Sequence, residues 1–143
     1  MVRKVAVSSF LGNFIEWFDY GSYAYYAVII SAVLFSADDP DTGDLIGTFA
    51  VFAISFVMRP IGALFWGSMG DKKGRKWTLS VSIFLMSGAT FLIGCLPTYA
   101  AIGIGAPLLL LVLRMVQGFS AAGEYAGAAT FLAEYAPTNK RGL

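Results

Sequence analysis

The chain has 143 residues, of which 57% are hydrophobic and only 13% are charged. Because a soluble domain carries about 25% charged residues, this composition leaves too little polar surface to coat a globule and is typical of a membrane protein. The chain has no histidine, which excludes histidine-based catalysis and imidazole metal sites. Its net charge of +1 gives no reason to expect nucleic acid binding. We therefore expect a protein that is not an enzyme and that uses neither a cofactor nor a metal.

Four apolar runs are each long enough to cross a membrane as a helix, which takes about 20 predominantly apolar residues. In chain order they cover approximately residues 5–35, 45–69, 77–96 and 107–133. The connections are short and rich in turn-forming residues, so consecutive helices should be antiparallel. The sequence thus predicts an all-α membrane protein with four transmembrane helices.

The basic residues predict how these helices are oriented. Eight of the ten lysines and arginines lie before the first run, between the second and third runs, or after the fourth run. The first connection instead carries four aspartates. Since short loops rich in Lys and Arg stay on the cytoplasmic side, both termini and the middle loop should be cytoplasmic.

Five charged residues lie inside the predicted helices: Glu16, Asp19, Arg59, Arg114 and Glu124. Each costs about 2.5 to 3.5 kcal/mol near the centre of a membrane helix, so we expect them to face a protein interior or an aqueous cavity, and one another. A carboxylate in such a cavity can take up and release a proton at physiological pH, which makes these residues functional candidates.

Helical projection places most of these residues on two polar faces. The face of the first helix spans an arc of about 120° and comprises Asn13, Glu16, Asp19, Tyr20 and Tyr23. The face of the fourth helix spans about 80° and comprises Arg114, Gln117, Ala121 and Glu124. A purely structural alternative is that Glu16 or Glu124 only neutralises Arg114.

Arg59 is followed directly by Pro60 in the second run. A proline inside a helix removes a backbone hydrogen bond, so we predict a kink there, beside a charged side chain. The pair Arg59 and Pro60 fits a functional role and a structural role equally well.

Two motifs resemble signatures of the major facilitator superfamily. The first resembles G-x-x-x-D-[RK]-x-G-R-[RK], and its six specified positions are Gly67, Asp71, Lys72, Gly74, Arg75 and Lys76. The second, Arg114-Met-Val-Gln117-Gly118, resembles R-x-x-Q-G. In the family the loop that carries the first motif is taken to latch the two halves of the transporter together on the cytoplasmic side. The resemblance therefore implies that these six residues form a cytoplasmic gating motif.

Residues 12–20, 56–62 and 117–137 resemble the metabolite:proton symporter branch of that superfamily, and residues 102–128 are most similar to its proline/betaine type. The resemblance implies twelve spans in two six-span halves, with alternating access to a central site. Residues 1–143 would then be a partial N-terminal transmembrane domain. Its partners would include the missing C-terminal helices of the transporter and the lipid bilayer.

The function implied by the resemblance is proton-coupled symport across the plasma membrane, with small zwitterionic osmolytes such as proline or glycine betaine as substrates. The acids would carry the proton or meet an ammonium group, the arginine and glutamine would hold a carboxylate, and the tyrosine rings would face a quaternary ammonium. The candidate residues are Glu16, Asp19, Tyr20, Tyr23, Arg114, Gln117 and Glu124.

Three alternatives stay open at this point. Relatives that carry dicarboxylates, 2-oxoglutarate or shikimate share much of the same sequence. A small four-span exporter that exchanges protons for a cation as a homodimer would suit the length of the chain. A membrane subunit without transport activity would bury its charged faces against a partner.

Overall fold

The computed structural model describes the backbone of residues 2–35 and 42–135, and the side chains of residue 7 and residues 10–35 and 43–124. Within these ranges every regular element is an α-helix, which confirms the predicted all-α fold class. The helices are α1 (Val2–Tyr25), α2 (Ala27–Leu34), α3 (Thr42–Lys73), α4 (Arg75–Gly94), α5 (Tyr99–Ile102) and α6 (Gly105–Tyr135).

Three of the described helices are long and apolar enough to cross a membrane: α3 over Gly43–Lys73, α4 over Arg75–Gly94 and α6 over Gly105–Glu124. The first apolar run differs from the single helix that the sequence predicts. It forms α1 and α2, which are separated by a turn at Tyr26 with φ −89° and ψ 9°. The 24-residue helix α1 is long enough to span a membrane.

The short helix α5 lies in a connection where the sequence predicted only turns. It begins after Thr98, whose backbone is extended, and ends at Gly103, where φ is +58°. A positive φ is accessible to glycine without a steric penalty, so Gly103 ends this helix and lets the chain enter α6 two residues later.

Helices α3 and α6 approach each other so closely that their backbones touch. A Cβ atom added to Gly118 of α6 would lie 2.7 Å from the carbonyl carbon of Ser55 in α3. A Cβ atom added to Gly62 of α3 would lie 3.0 Å from the carbonyl carbon of Phe119 in α6. The indole nitrogen of Trp66 donates a hydrogen bond of 2.9 Å to the Phe119 carbonyl oxygen. Small residues that allow such contact are a recurrent feature of membrane helix packing.

Helix α6 also packs against α4 and α1, so it lies at the centre of the described bundle. At the end of α6 near α2, an apolar cluster fills the interior, consisting of Tyr23, Leu34, Val51, Ala106 and Leu110. This cluster attaches α2 to the bundle and holds the start of α6 in place.

Polar side chains concentrate inside this bundle and large apolar side chains outside. Arg114 and Gln117 are 2% and 1% exposed, whereas Phe10, Phe14 and Phe18 along one side of α1 are 56–67% exposed. This distribution of polar and apolar side chains is the reverse of that in a water-soluble protein, and it is expected when the surroundings are the hydrocarbon of a membrane.

Candidate functional site

The first ion pair of the site joins α6 to α1. The Arg114 guanidinium donates a hydrogen bond of 2.6 Å from Nη1 to Oδ2 of Asp19, and both side chains are largely buried. The Arg114 guanidinium carbon also lies 3.9 Å from the centre of the Tyr23 ring, a distance at which the ring face attracts a cation. Arg114 Nε has no hydrogen-bond partner among the described residues. The guanidinium is therefore held by one carboxylate and one ring, with donor capacity left over.

The second ion pair joins α3 to α1. Arg59 pairs with the carboxylate of Glu16, and its Nη2 also donates a hydrogen bond of 2.6 Å to the Tyr20 hydroxyl. The guanidinium carbon lies 5.0 Å from the centres of both the Tyr20 and the Phe56 rings. Arg59 thus belongs to the same polar interior as the other candidates, and α3 runs through the adjacent Pro60 as one helix.

This pairing differs from the structural alternative drawn from the sequence, in which Glu16 or Glu124 would neutralise Arg114. Asp19 is the partner of Arg114, and Glu16 is the partner of Arg59. The reason is geometric: residues three apart on α1 point about 60° apart, so one reaches α6 while the other reaches α3.

The predicted polar face of α1 is narrower than expected at its N-terminal end. Glu16, Tyr20 and Tyr23 are buried, but Asn13 is exposed. Asn13 lies about 60° to one side of the line through the buried residues, so it misses the interface.

Gln117 and Tyr23 are fixed by hydrogen bonds that the sequence did not predict. The Gln117 amide donates from Nε2 to Oγ1 of Thr90 over 2.7 Å. The Tyr23 hydroxyl donates to the backbone carbonyl of Thr48 over 3.0 Å. Neither Thr90 nor Thr48 was named as a candidate from the sequence. A signal existed for Thr90 alone: positions 78, 82, 86 and 89 are buried at helical spacing and mark the face of α4 that meets α6, and Thr90 is next to them.

Glu124 takes no part in either ion pair. It is 6% exposed, and its Oε2 accepts no hydrogen bond from the part of the chain that the structure describes. The carboxylate borders a cavity of about 300 Å³ between α1, α4 and α6. The lining residues are Gly12, Ile15, Ile83, Met86, Ser87, Thr90, Phe91 and Glu124.

The loop that carries the first signature motif consists of a single residue, Gly74, between the end of α3 and the start of α4. Gly74 has φ +93° and ψ 146°, which is a conformation that residues with a side chain rarely adopt. Arg75 donates from Nη2 to Oδ1 of Asp71 over 2.8 Å, bridging the end of α3 and the start of α4. Lys73 lies over the Trp77 ring at 4.5 Å.

The remaining signature residues lie on the surface of this turn. Lys72 and Lys76 are exposed, and Gly67 lies one turn earlier in α3 with nothing within 4 Å of a Cβ added to it. The loop is therefore a compact basic turn, placed at the opposite end of the helices from α5.

The chain is similar to several curated transporters over almost all of its length. It is 48% identical over 142 residues to the proline/betaine transporter of Salmonella typhimurium and 47% identical over 142 residues to that of Escherichia coli K12. It is 48% identical over 140 residues to a putative proline/betaine transporter of Staphylococcus aureus. These alignments cover 97–99% of the chain but only 28–30% of the relatives. No solved structure matches the chain significantly.

The family profile described as "Sugar (and other) transporter" matches residues 4–143. This match covers the two signature motifs and every candidate site residue. Together with the long apolar helices, it identifies a multi-pass membrane protein. The chain therefore belongs to the sugar (and other) transporter family of the major facilitator superfamily.

Proposed function

We propose that this chain is the N-terminal part of a proton-coupled symporter that moves zwitterionic osmolytes such as proline or glycine betaine across the plasma membrane. The observation that carries the proposal is the buried ion pair between Arg114 of α6 and Asp19 of α1, covered by the Tyr23 ring. The similarity to proline/betaine transporters supports the choice of substrate.

The Arg114–Asp19 pair offers a simple route to coupling. When Asp19 takes up a proton it loses its charge, and Arg114 is left as a buried cation without a counter-charge. Such a state is costly in a low-dielectric interior, and a substrate carboxylate would relieve it. Binding of the proton and binding of the substrate would thus favour each other.

The charge balance of the site favours a zwitterion over a dicarboxylate. Each of the two arginines already has one carboxylate partner, so the two pairs together are neutral. A zwitterion adds no net charge to the buried region whether or not Asp19 is protonated, whereas a dicarboxylate would add two negative charges, more than the single positive charge that protonation leaves. The rings of Tyr20 and Tyr23, which already attract guanidinium groups, are suited to a quaternary ammonium as well.

The test is uptake of labelled proline and glycine betaine by cells that express the full product of the gene, with and without a proton gradient. Separate substitutions Asp19→Asn, Glu16→Gln and Glu124→Gln remove one candidate carboxylate at a time. We expect Asp19→Asn to abolish the dependence of uptake on the gradient. Asn13→Ala, which changes an exposed polar residue of the same helix, should behave like the unsubstituted protein.

Unchanged coupling in all three acid variants would refute this mechanism. Substrate-dependent proton flux by the 143-residue chain alone would favour the four-span exporter instead. Copurification with a larger protein, without any uptake, would favour a non-transporting subunit.

We also propose that both termini and the α3–α4 turn are cytoplasmic, in accord with the distribution of the basic residues. Cys95, which is exposed at the opposite end of α4, would then lie near the outer surface. A membrane-impermeant maleimide should label it in intact cells, and Cys95→Ser should remove that labelling. Labelling at Cys95 only after the cells are opened would reverse the orientation.

A further inference from the structure

The cavity between α1, α4 and α6 combines an apolar wall with one charged group. Ile15, Ile83, Met86 and Phe91 supply most of the wall. Its volume of about 300 Å³ is at the lower end of the range for small-molecule sites. The carboxylate of Glu124 is the single ionisable group among the described residues that line it.

The Glu124 carboxylate lacks the compensation that the other two buried acids have. Glu16 and Asp19 each contact an arginine, whereas no described lysine or arginine pairs with Glu124. A buried carboxylate with an empty acceptor oxygen is costly unless a proton or a cation neutralises it. Gly12 keeps space open beside that oxygen, since a Cβ atom there would lie 3.2 Å from Oε2.

The charged group of the cavity, the Glu124 carboxylate, is too far from Arg114 for one small substrate to contact both residues. Ten residues separate Arg114 from Glu124 on α6, which corresponds to about 15 Å along the helix axis. In proline and glycine betaine the nitrogen and the carboxylate are attached to the same carbon atom. One such molecule cannot contact both Arg114 and Glu124.

The lining favours an organic cation over a metal ion. A hard cation needs about six or more oxygen ligands, and the described lining offers one carboxylate and the hydroxyls of Ser87 and Thr90. The Thr90 hydroxyl is already engaged with Gln117 and with the Met86 carbonyl. Methyl groups on a nitrogen would instead pack against the apolar side chains, and the Phe91 ring is an additional partner for the charge.

We infer that this cavity is a second binding site, separate from the Arg114 ion pair, that takes a small organic ammonium ion with Glu124 as its counter-charge. The inference does not depend on the proposed transport activity, because it concerns binding to the folded protein. It assigns Gly12 the role of leaving room for the ligand and Phe91 and Met86 the role of contacting its methyl groups.

The test is equilibrium binding of labelled choline to the purified full product of the gene in detergent. Its uncharged isostere 3,3-dimethylbutan-1-ol should compete poorly, and Glu124→Gln should weaken choline binding by about tenfold or more, because the counter-charge is lost. Ser87→Phe should block binding by filling the cavity while leaving Glu124 intact. The Ser87→Phe variant also tests whether the cavity binds choline if Glu124→Gln fails to fold. Circular dichroism checks the folding of both variants.

Excess proline should leave choline bound, since it would occupy the separate Arg114 site. Three results would each overturn the inference: equal binding of the uncharged isostere, unchanged choline affinity in folded Glu124→Gln or Ser87→Phe, and displacement of choline by proline at a single shared site.

Discussion

The close contact of α3 and α6 predicts a large effect of a single methyl group at Gly118. In Gly118→Ala the new Cβ atom would lie 2.7 Å from the carbonyl carbon and 2.8 Å from the Cα atom of Ser55. Carbon atoms pack at about 3.5 to 4.0 Å, so the two backbones must separate by about 1 Å. Neither contact atom belongs to a flexible side chain that could turn away.

Two losses then add to the free energy change. Overpacking against a rigid neighbour costs about 1 to 3 kcal/mol, and the backbone contact places this variant near the upper end. A separation of about 1 Å would also stretch the 2.9 Å hydrogen bond from Trp66 to the Phe119 carbonyl beyond bonding distance, at a further cost of about 1 kcal/mol. We therefore expect Gly118→Ala to lower the free energy of unfolding by about 4 kcal/mol.

The assay is reversible unfolding of the purified full product of the gene in mixed micelles, with increasing SDS and circular dichroism as the signal. The matched control is Gly88→Ala in α4, where nothing lies within 4 Å of the added Cβ atom. That variant should be neutral or stabilising by up to about 1 kcal/mol, since alanine is the better helix former. A Gly118→Ala protein as stable as the Gly88→Ala protein would refute the close-packing argument.

Three further predictions use the same unfolding measurement. Gly74→Ala should lower the free energy of unfolding by about 1 to 3 kcal/mol, because alanine is strained at φ +93°; nothing lies within 4 Å of the added Cβ atom, so backbone strain is the whole cost. A free energy of unfolding within about 0.5 kcal/mol of the original would contradict this. Arg114→Leu should lower the free energy of unfolding by about 3 to 5 kcal/mol, because it leaves Asp19 buried and unpaired. Adding Asp19→Leu should restore part of that loss, and strictly additive losses would mean that the two residues do not stabilise each other. Trp66→Phe should cost about 1 kcal/mol by removing one hydrogen bond, and a much larger loss would mean that ring packing dominates.

The helices were predictable because long apolar runs end at charged or turn-forming segments. The ends of α3 and α4 follow from the basic turn around Gly74, which the sequence marks clearly. The turn at Tyr26 and the short helix α5 were not predictable, since neither Tyr26 nor residues 99–102 carry a proline or a charge that would set them apart. Both segments pack against neighbouring helices, α2 against α3 and α5 against α6, so their conformations depend on tertiary contacts.

The inward orientation of the charged residues was predictable, but their pairing was not. A charge inside an apolar helix must turn inward, so Glu16, Asp19 and Arg114 could be found from the sequence alone. Their partners lie 43 and 95 residues away, and three acids with two arginines allow several combinations. The choice depends on how each helix is rotated and shifted relative to its neighbours. The cavity could not be predicted either, because its shape depends on how side chains from three helices pack together, and no local sequence pattern determines that packing.

The bundle attaches its helices in two physically different ways. Helices α3 and α6 meet through glycines with their backbones in contact, so moving one past the other would mean a steric collision. Helix α1 contacts both of them through side chains. Its acids pair with the guanidinium groups of Arg59 and Arg114, whose bonds can be exchanged for bonds to another carboxylate, and its tyrosine rings stack on α3. Any rearrangement of these helices should therefore keep α3 and α6 together as one unit and shift α1 relative to them.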